Sequence, residues 1–186
     1  PAPAYIEIPT DVLRTHVQPQ LVLDEWMAGT PQRKLQPSPD AVQQAADAIR
    51  NAKRPLVITG RGARGASKQL VRFLDAADAL YLDTQESRGL VPTDHPAFAG
   101  AVRGAAMGQS DLVIVLGRKL DYQTAYGSPA VYGDARFIRI SDTAGELIDN
   151  RRGSPELLAD VGLALDAITD ALGNDAAKRD TAWLEG

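Results

Sequence analysis

The chain has 186 residues, 20 Lys and Arg against 24 Asp and Glu, a formal charge of −4 and a pI near 5.2. That length suits one domain, or one domain with a long extension, and buries roughly 70% of the unfolded surface without covalent staples. The acidic balance excludes an electrostatic nucleic-acid footprint, the absence of Cys excludes disulfides and thiolate sites, and no apolar run reaches the ~18 residues of a membrane span.

A cytoplasmic location fits this composition. The sequence opens on Pro1-Ala2-Pro3 with no initiator Met, which reads as a cut inside a longer protein. Residues 4–8 (Ala-Tyr-Ile-Glu-Ile) have strand character, stopped by Pro9. Up to Pro39 the chain carries Pro19, Pro31 and Pro37 among scattered polar residues, with Trp26 as an anchor; it reads as an extended interdomain linker. A helix is expected after Ser38, which suits an N-cap, with Pro39 at the first position and Val42, Ala45, Ala46 and Ile49 on its inner face.

Residues 56–59 (Leu-Val-Ile-Thr) read as a fully buried parallel strand, because they are apolar, β-branched and bounded by Pro55 and Gly60. A helix follows over 67–77 with Leu70, Val71 and Leu74 inward, then a strand over 80–83. Residues 84–96 form a polar loop containing Gly89, Pro92 and Pro96, long enough to be functional. A small-residue helix near 101–108 leads to 111–117 (Asp-Leu-Val-Ile-Val-Leu-Gly), the clearest buried strand. Further on come a strand over 136–140, a helix over 143–150, a short strand over 157–159 and a last helix with Val161, Leu165, Ile168 and Leu172 on one face. Strands alternating with helices predict an α/β, doubly wound, mainly parallel sheet of five to six strands with helices on both faces.

Ligands of such sheets bind beyond the carboxyl ends of the strands. Gly60, Gly62 and Gly65 follow a G-x-G-x-x-G spacing directly after a strand, which serves either a phosphate-binding backbone or a purely geometric tight turn. Asp83 stands about where a dinucleotide fold places its ribose acid. Arg61, Arg64, Arg88, Arg103 and Arg118 lie near strand ends, where guanidinium groups grip phosphate or simply balance the acidic excess. His16 and His95 lack ligand spacing and read as exposed loop residues. Asp83, Glu86 and Asp121 are acidic candidates for capping or acid–base work. No nucleophile, metal set or base stands out.

The order of the segments resembles the central domain of thiamine-diphosphate-dependent enzymes, in the acetolactate synthase, benzaldehyde lyase and oxalyl-CoA decarboxylase group. The likeness is carried by Tyr5-Ile-Glu-Ile-Pro-Thr-Asp-Val-Leu13, Ala52-Lys-Arg-Pro-Leu-Val-Ile-Thr-Gly-Arg-Gly-Ala63, Asp83-Thr-Gln-Glu-Ser-Arg-Gly-Leu-Val-Pro92, His95-Pro96, Ser110-Asp-Leu-Val-Ile-Val-Leu-Gly117 with Leu120-Asp121, and Ala159-Asp160-Val161. It covers residues 4–172. It implies the end of a preceding domain plus connector over 1–37, a Rossmann-like central domain over 38–173 and a polar tail over 174–186.

The resemblance also implies a parent lyase, synthase or decarboxylase acting on 2-keto acids or related carbonyl compounds. Its pyrimidine- and diphosphate-binding domains would hold thiamine diphosphate and magnesium, and the parent would be a homo-oligomer. The present segment would then carry no catalytic residue. Stripped of its sheet, the 4–8 strand is expected to be disordered or paired with another copy.

Some members of that group hold FAD or ADP in this domain. By resemblance the contacts would fall on Gly60, Arg61, Gly62, Thr84, Gln85, Gly117, Arg118, Ser141, Asp142, Asp160 and Val161. The sequence departs from the group at Ser141, where those members carry a ribose-binding acid; Asp142 follows one position later. The alternative function is a free-standing NAD(P)-binding domain of an oxidoreductase, resting on the Gly60/Gly62/Gly65 spacing and Asp83. A regulatory binding module built on the arginine-rich strand ends is a third.

Overall fold

The structure is a computed structural model describing residues 5–18, 34–173, 179 and 183. The chain divides into two compact units, Pro1–Arg33 and Lys34–Gly186.

In the first unit, residues 5–9 form neither helix nor strand, and a single turn of helix, α1 (Thr10–Leu13), follows Pro9. Tyr5 and Ile6 are exposed, and no described strand pairs with them. An extended segment becomes a strand only when a neighbour takes its N–H and C=O groups. Ala4, Pro19, Trp26 and Pro31 lie outside the described residues.

The second unit holds α2 (Pro39–Asn51), β1 (Pro55–Thr59), α3 (Ser67–Ala77), β2 (Leu80–Leu82), α4 (Arg103–Gln109), β3 (Leu112–Leu116), α5 (Pro129–Tyr132), β4 (Arg136–Ser141), α6 (Ala144–Leu147), β5 (Glu156–Leu158) and α7 (Val161–Leu172). All five strands are parallel, in the order β2-β1-β3-β4-β5. The doubly wound α/β fold expected from the alternation is the fold observed.

Side chains alternate across the strands and so define two cores. Val57, Ile114, Leu116, Ile138 and Leu157 face α2, α3 and α7. Leu56, Ile58, Val113, Val115 and Phe137 face the shorter α4 and α5, with Tyr132 and Met107 packed among them. On α3 the buried stripe is Leu70, Phe73, Leu74 and Ala77, with Val71 at its margin.

Ends and caps differ from expectation in places. Ser38 takes the N-cap position of α2 by its extended backbone but makes no side-chain cap bond. Pro39 and Asp40 supply the preset φ and the favourable charge instead. The expected helix over 143–150 shrinks to Ala144–Leu147. Asp149 accepts from the Leu120 amide at 2.7 Å and Asn150 donates to the Leu120 carbonyl at 2.6 Å, so this stretch is drawn off the helical path.

Two residues of the polar tail join the fold. The Arg179 guanidinium donates to the carbonyls of Ile49 (3.1 Å), Ala52 (2.6 Å), Ala77 (3.0 Å) and Asp78 (3.2 Å), capping the C-terminal ends of α2 and α3 together. Trp183 is buried in the second core. Aromatic area of that size is a large hydrophobic contribution.

Candidate functional site

β1 is flanked by β2 on one side and β3 on the other, so the chain switches direction between β1 and β3. Above this switch point the neighbouring loops diverge and leave a crevice. Here the loops touch at their base. The Gly60 amide donates to Leu116 O at 2.9 Å, the Gly62 amide to Gly117 O at 2.9 Å, and the Gly117 amide to Ile140 O at 2.7 Å. A Cβ on Gly62 would lie 2.7 Å from the Gly117 Cα, and one on Gly117 would lie 2.4 Å from the Gly62 Cα. Gly117 also has φ +56°.

These glycines therefore serve backbone against backbone, the geometric alternative of the sequence reading. Their amides are already engaged and cannot cradle a pyrophosphate as a dinucleotide fingerprint does. Gly65 turns the chain at φ +86°, and α3 begins two residues later. The dehydrogenase alternative loses its main support at this point.

Two buried arginines hold the crevice open. Arg118 is 8% exposed; it donates to Thr84 Oγ1 (3.2 Å), Asp121 Oδ1 (2.9 Å) and Gln123 Oε1 (2.7 Å). Thr84 is itself fixed by donating to Thr59 O at 2.7 Å. Arg139, 1% exposed in β4, donates to Asp149 Oδ1 (2.8 Å), Arg151 O (2.6 Å), Arg118 O (3.2 Å) and the Glu146 carbonyl. Buried guanidinium groups persist only when their donors are matched in this way. Between them they tie the loops after β2, β3 and β4 into one network.

The loop over 121–127 is held just as firmly. The Asp121 carbonyl accepts from the amides of Thr124 and Tyr126, which places Ala125 (φ +47°) and Tyr126 (φ +53°) in the left-handed region. Side chains other than Gly adopt that region at a cost, so the surrounding bonds dictate it.

The resulting cleft measures about 320 Å³. Arg61, Gln85, Glu86, Gly117, Arg118 and Lys119 line it from the loops after β1, β2 and β3; Asp121, Tyr122, Gln123 and Glu146 close the far wall. Arg61 and Lys119 are exposed, and among the described residues neither has an ion-pair partner. Three carboxylates, Glu86, Asp121 and Glu146, line the same space, and Asp121 pairs with Arg118 at 2.9 Å. The two cations that are not committed, Arg61 and Lys119, are the groups here that suit an anionic ligand. A wider groove of about 1130 Å³ runs between α3 and α7, away from the strand ends. Arg72 pairs there with Asp170 and, at 3.3 Å, with neighbouring Asp166; ligands of parallel sheets bind at the strand ends, so the strand-end cleft is the better site.

Of the residues singled out from sequence, Arg61, Gln85, Glu86, Gly117, Arg118 and Asp121 share this cleft. Gly60, Gly62 and Thr84 support it from below. Ser141 is buried behind it and donates to Glu146 Oε2 at 2.8 Å. Asp142 is exposed and accepts from Thr143 Oγ1 at 3.0 Å. Asp160 caps α7 by accepting from the Leu163 amide at 3.0 Å and meets Lys34 at 3.5 Å, while Val161 is buried in the first core. These last three do not line the cleft.

Lys119, Tyr122, Gln123 and Glu146 join the site without having been singled out. Glu146 had one visible signal, its place in a short turn five residues after Ser141. Asp83 gives its carbonyl to Arg103 at 3.2 Å and does not line the cleft. His95 is half-buried, not an exposed loop residue: Nδ1 accepts from the Ala97 amide at 3.1 Å and Nε2 lies 3.4 Å from Asp75. Among the described residues no group of three His, Asp or Glu is arranged to hold a metal ion, and no helix is long and apolar enough to cross a membrane.

Fold and site thus define a Rossmann-like α/β domain with a polar strand-end cleft of mixed charge at its switch point. The family model for the thiamine pyrophosphate enzyme central domain matches residues 42–168, and the chain belongs to this family. Oxalyl-CoA decarboxylase of Escherichia coli K12 is 26% identical over 188 residues, covering all of this chain and 33% of the relative. Mouse (Mus musculus) 2-hydroxyacyl-CoA lyase 1 is 31% identical over 164 residues, covering 87% of this chain and 28% of the relative. In three dimensions the chain resembles benzoylformate decarboxylase from Polynucleobacter necessarius, with a TM-score of 0.66 at 22% identity over 82% of this chain and 31% of that one. The chain spans about a third of the length of these proteins.

Proposed function

We propose that this chain is the structural and nucleotide-binding middle of a larger thiamine-diphosphate-dependent enzyme. In that enzyme it would support neighbouring domains and hold the diphosphate of ADP or FAD in the strand-end cleft. The observation that carries the second half of this reading is the convergence of Arg61 and Lys119, which have no ion-pair partner among the described residues, with buried Arg118 in one concave site. The donors fit a nucleotide diphosphate: they are side-chain cations, and the glycine amides beneath them are engaged elsewhere.

The first half is supported by the family match and by the fraction of each relative that the chain covers. On this reading thiamine diphosphate and magnesium belong to the pyrimidine- and diphosphate-binding domains of the whole enzyme, a cytoplasmic homo-oligomer that breaks or forms a carbon–carbon bond beside a carbonyl. Residues 1–37 would end the preceding domain, and the central domain would run over 38–173. Thiamine diphosphate supplies the carbanion chemistry of such enzymes when bound; the residues here bind, orient and support.

A thermal-shift panel with ADP, FAD, NAD and thiamine diphosphate tests the reading. ADP or FAD at a hundredfold excess over its Kd should stabilise the fold by about 2.7 kcal/mol, with no shift from thiamine diphosphate. Stabilisation by thiamine diphosphate alone would contradict it.

A further inference from the structure

The His95-Pro96 motif has no part in the cleft, yet its imidazole is built into the fold. Nδ1 accepts from the Ala97 amide at 3.1 Å, so that nitrogen carries no proton. The neutral ring then bears its proton on Nε2, which lies 3.4 Å from Asp75 Oδ1 on α3. The residues that follow at once seal one edge of the sheet. β2 is an edge strand, paired only with β1. On its open side the Tyr81 amide donates to Ala97 O at 2.6 Å, and the Ala99 amide donates to Tyr81 O at 2.9 Å. Phe98 forms an isolated parallel bridge with Tyr81, and the two rings meet at 6.1 Å between centroids. Residues 97–99 thus stand in for a further strand and cover backbone groups that an open edge would expose.

Imidazole is the side chain whose charge changes within the physiological pH range. A second proton on this ring goes to Nδ1, where the new N–H would face the Ala97 N–H and the hydrogen bond would be lost. Asp75 offers little in return, because its side chain is 67% exposed and exposed ion pairs contribute weakly. The groove beside Asp75 also carries Lys68 and Arg72 of α3 and Asp170 of α7, with Arg72 committed to Asp170. The loop itself adds exposed Asp94. Among the described residues, Asp75 is the only charged group paired with the imidazole. We propose that His95 is a proton-sensitive clasp: neutral, it fastens residues 97–99 over the β2 edge, and protonated, it releases them. The fastened state binds one proton fewer than the released one, so the seal strengthens as pH rises and weakens as pH falls. Release stays local, because the Ser67 hydroxyl holds the Leu90 carbonyl and Val91 is buried, which pins the earlier half of the loop.

Hydrogen exchange of the whole chain at about pH 7.5 and about pH 5, corrected for the intrinsic rate at each, tests the clasp. The Tyr81 and Ala99 amides should lose about tenfold in protection at the lower pH, the effect of one hydrogen bond. The Ser87 amide, bonded to Thr84 O at 2.7 Å, should keep its protection. His95→Asn sets an amide oxygen where Nδ1 stands and has nothing to titrate, so its exchange should not depend on pH in this way. Asp75→Asn should retain the dependence. In the wild type, the nitrogen chemical shifts of the ring should report protonation of Nδ1 over the range in which the two amides lose protection. Equal protection at both pH values, the same loss in His95→Asn, or its disappearance in Asp75→Asn would overturn the proposal. So would protonation of Nδ1 with Tyr81 and Ala99 still protected, a result that needs no variant.

Discussion

Gly117 and Gly65 both sit at positive φ, yet different forces require glycine at each. At Gly65 nothing lies within 4 Å of an added Cβ, so only the backbone conformation is at stake. Gly65→Ala should therefore cost about 1–2 kcal/mol. At Gly117 the Cβ would strike the Gly62 backbone as well, so Gly117→Ala should cost about 3 kcal/mol or more, and urea unfolding would read the difference. The G-x-G-x-x-G spacing was visible in sequence, but its purpose was not, because the atom that crowds Gly62 belongs to a loop distant in the chain. Tyr132 makes a second residue-scale case. Its buried hydroxyl has no hydrogen-bond partner among the described residues, and burial pushes its pKa up to about 12. Above pH ~10 an unfolded tyrosine gives up its proton while the folded one keeps it, so stability falls as pH rises from 10 towards 12. Tyr132→Phe should be neutral or stabilising at pH 7 and should lessen the alkaline loss, as melting curves across that range would show.

Among the elements, β4 is the least legible from sequence. Its apolar residues announced a strand, but the period-two pattern gives no reason for an arginine at its centre. Arg139 is explained only by four acceptors contributed by three separate segments. Arg139→Met should cost about 3 kcal/mol in urea unfolding, since Asp149 and the carbonyls lose their donor together. The tail poses a similar problem: Trp183 stands in a short Ala-Trp-Leu run inside a polar stretch, too brief for a periodicity to mark it as core. Its burial beside Leu56 and Ile58 predicts that Trp183→Ala lowers stability by about 3 kcal/mol, measured by chemical denaturation. By contrast α2, β1, α3, β3 and α7 were readable almost to the residue, because each has an apolar pattern matching its own period and a Pro or Gly near its ends.

At the scale of the whole molecule, the fold class followed from the alternation of strands and helices, and the family from the order of short motifs. The position of the candidate cleft followed from topology, because parallel sheets place ligands at the strand ends where the winding reverses. Its composition did not: Glu146 and Lys119 reach the cleft through loops whose path is set by the buried arginines. The same topology separates Asp160 and Val161, which begin a helix behind the β1 loop, from the cleft itself. A crystal structure of the chain with ADP bears most directly on the nucleotide site. Density for the diphosphate within hydrogen-bond reach of Arg61 or Lys119 is the expected result. ADP seated in the groove between α3 and α7, or a cleft that takes up thiamine diphosphate instead, would contradict it.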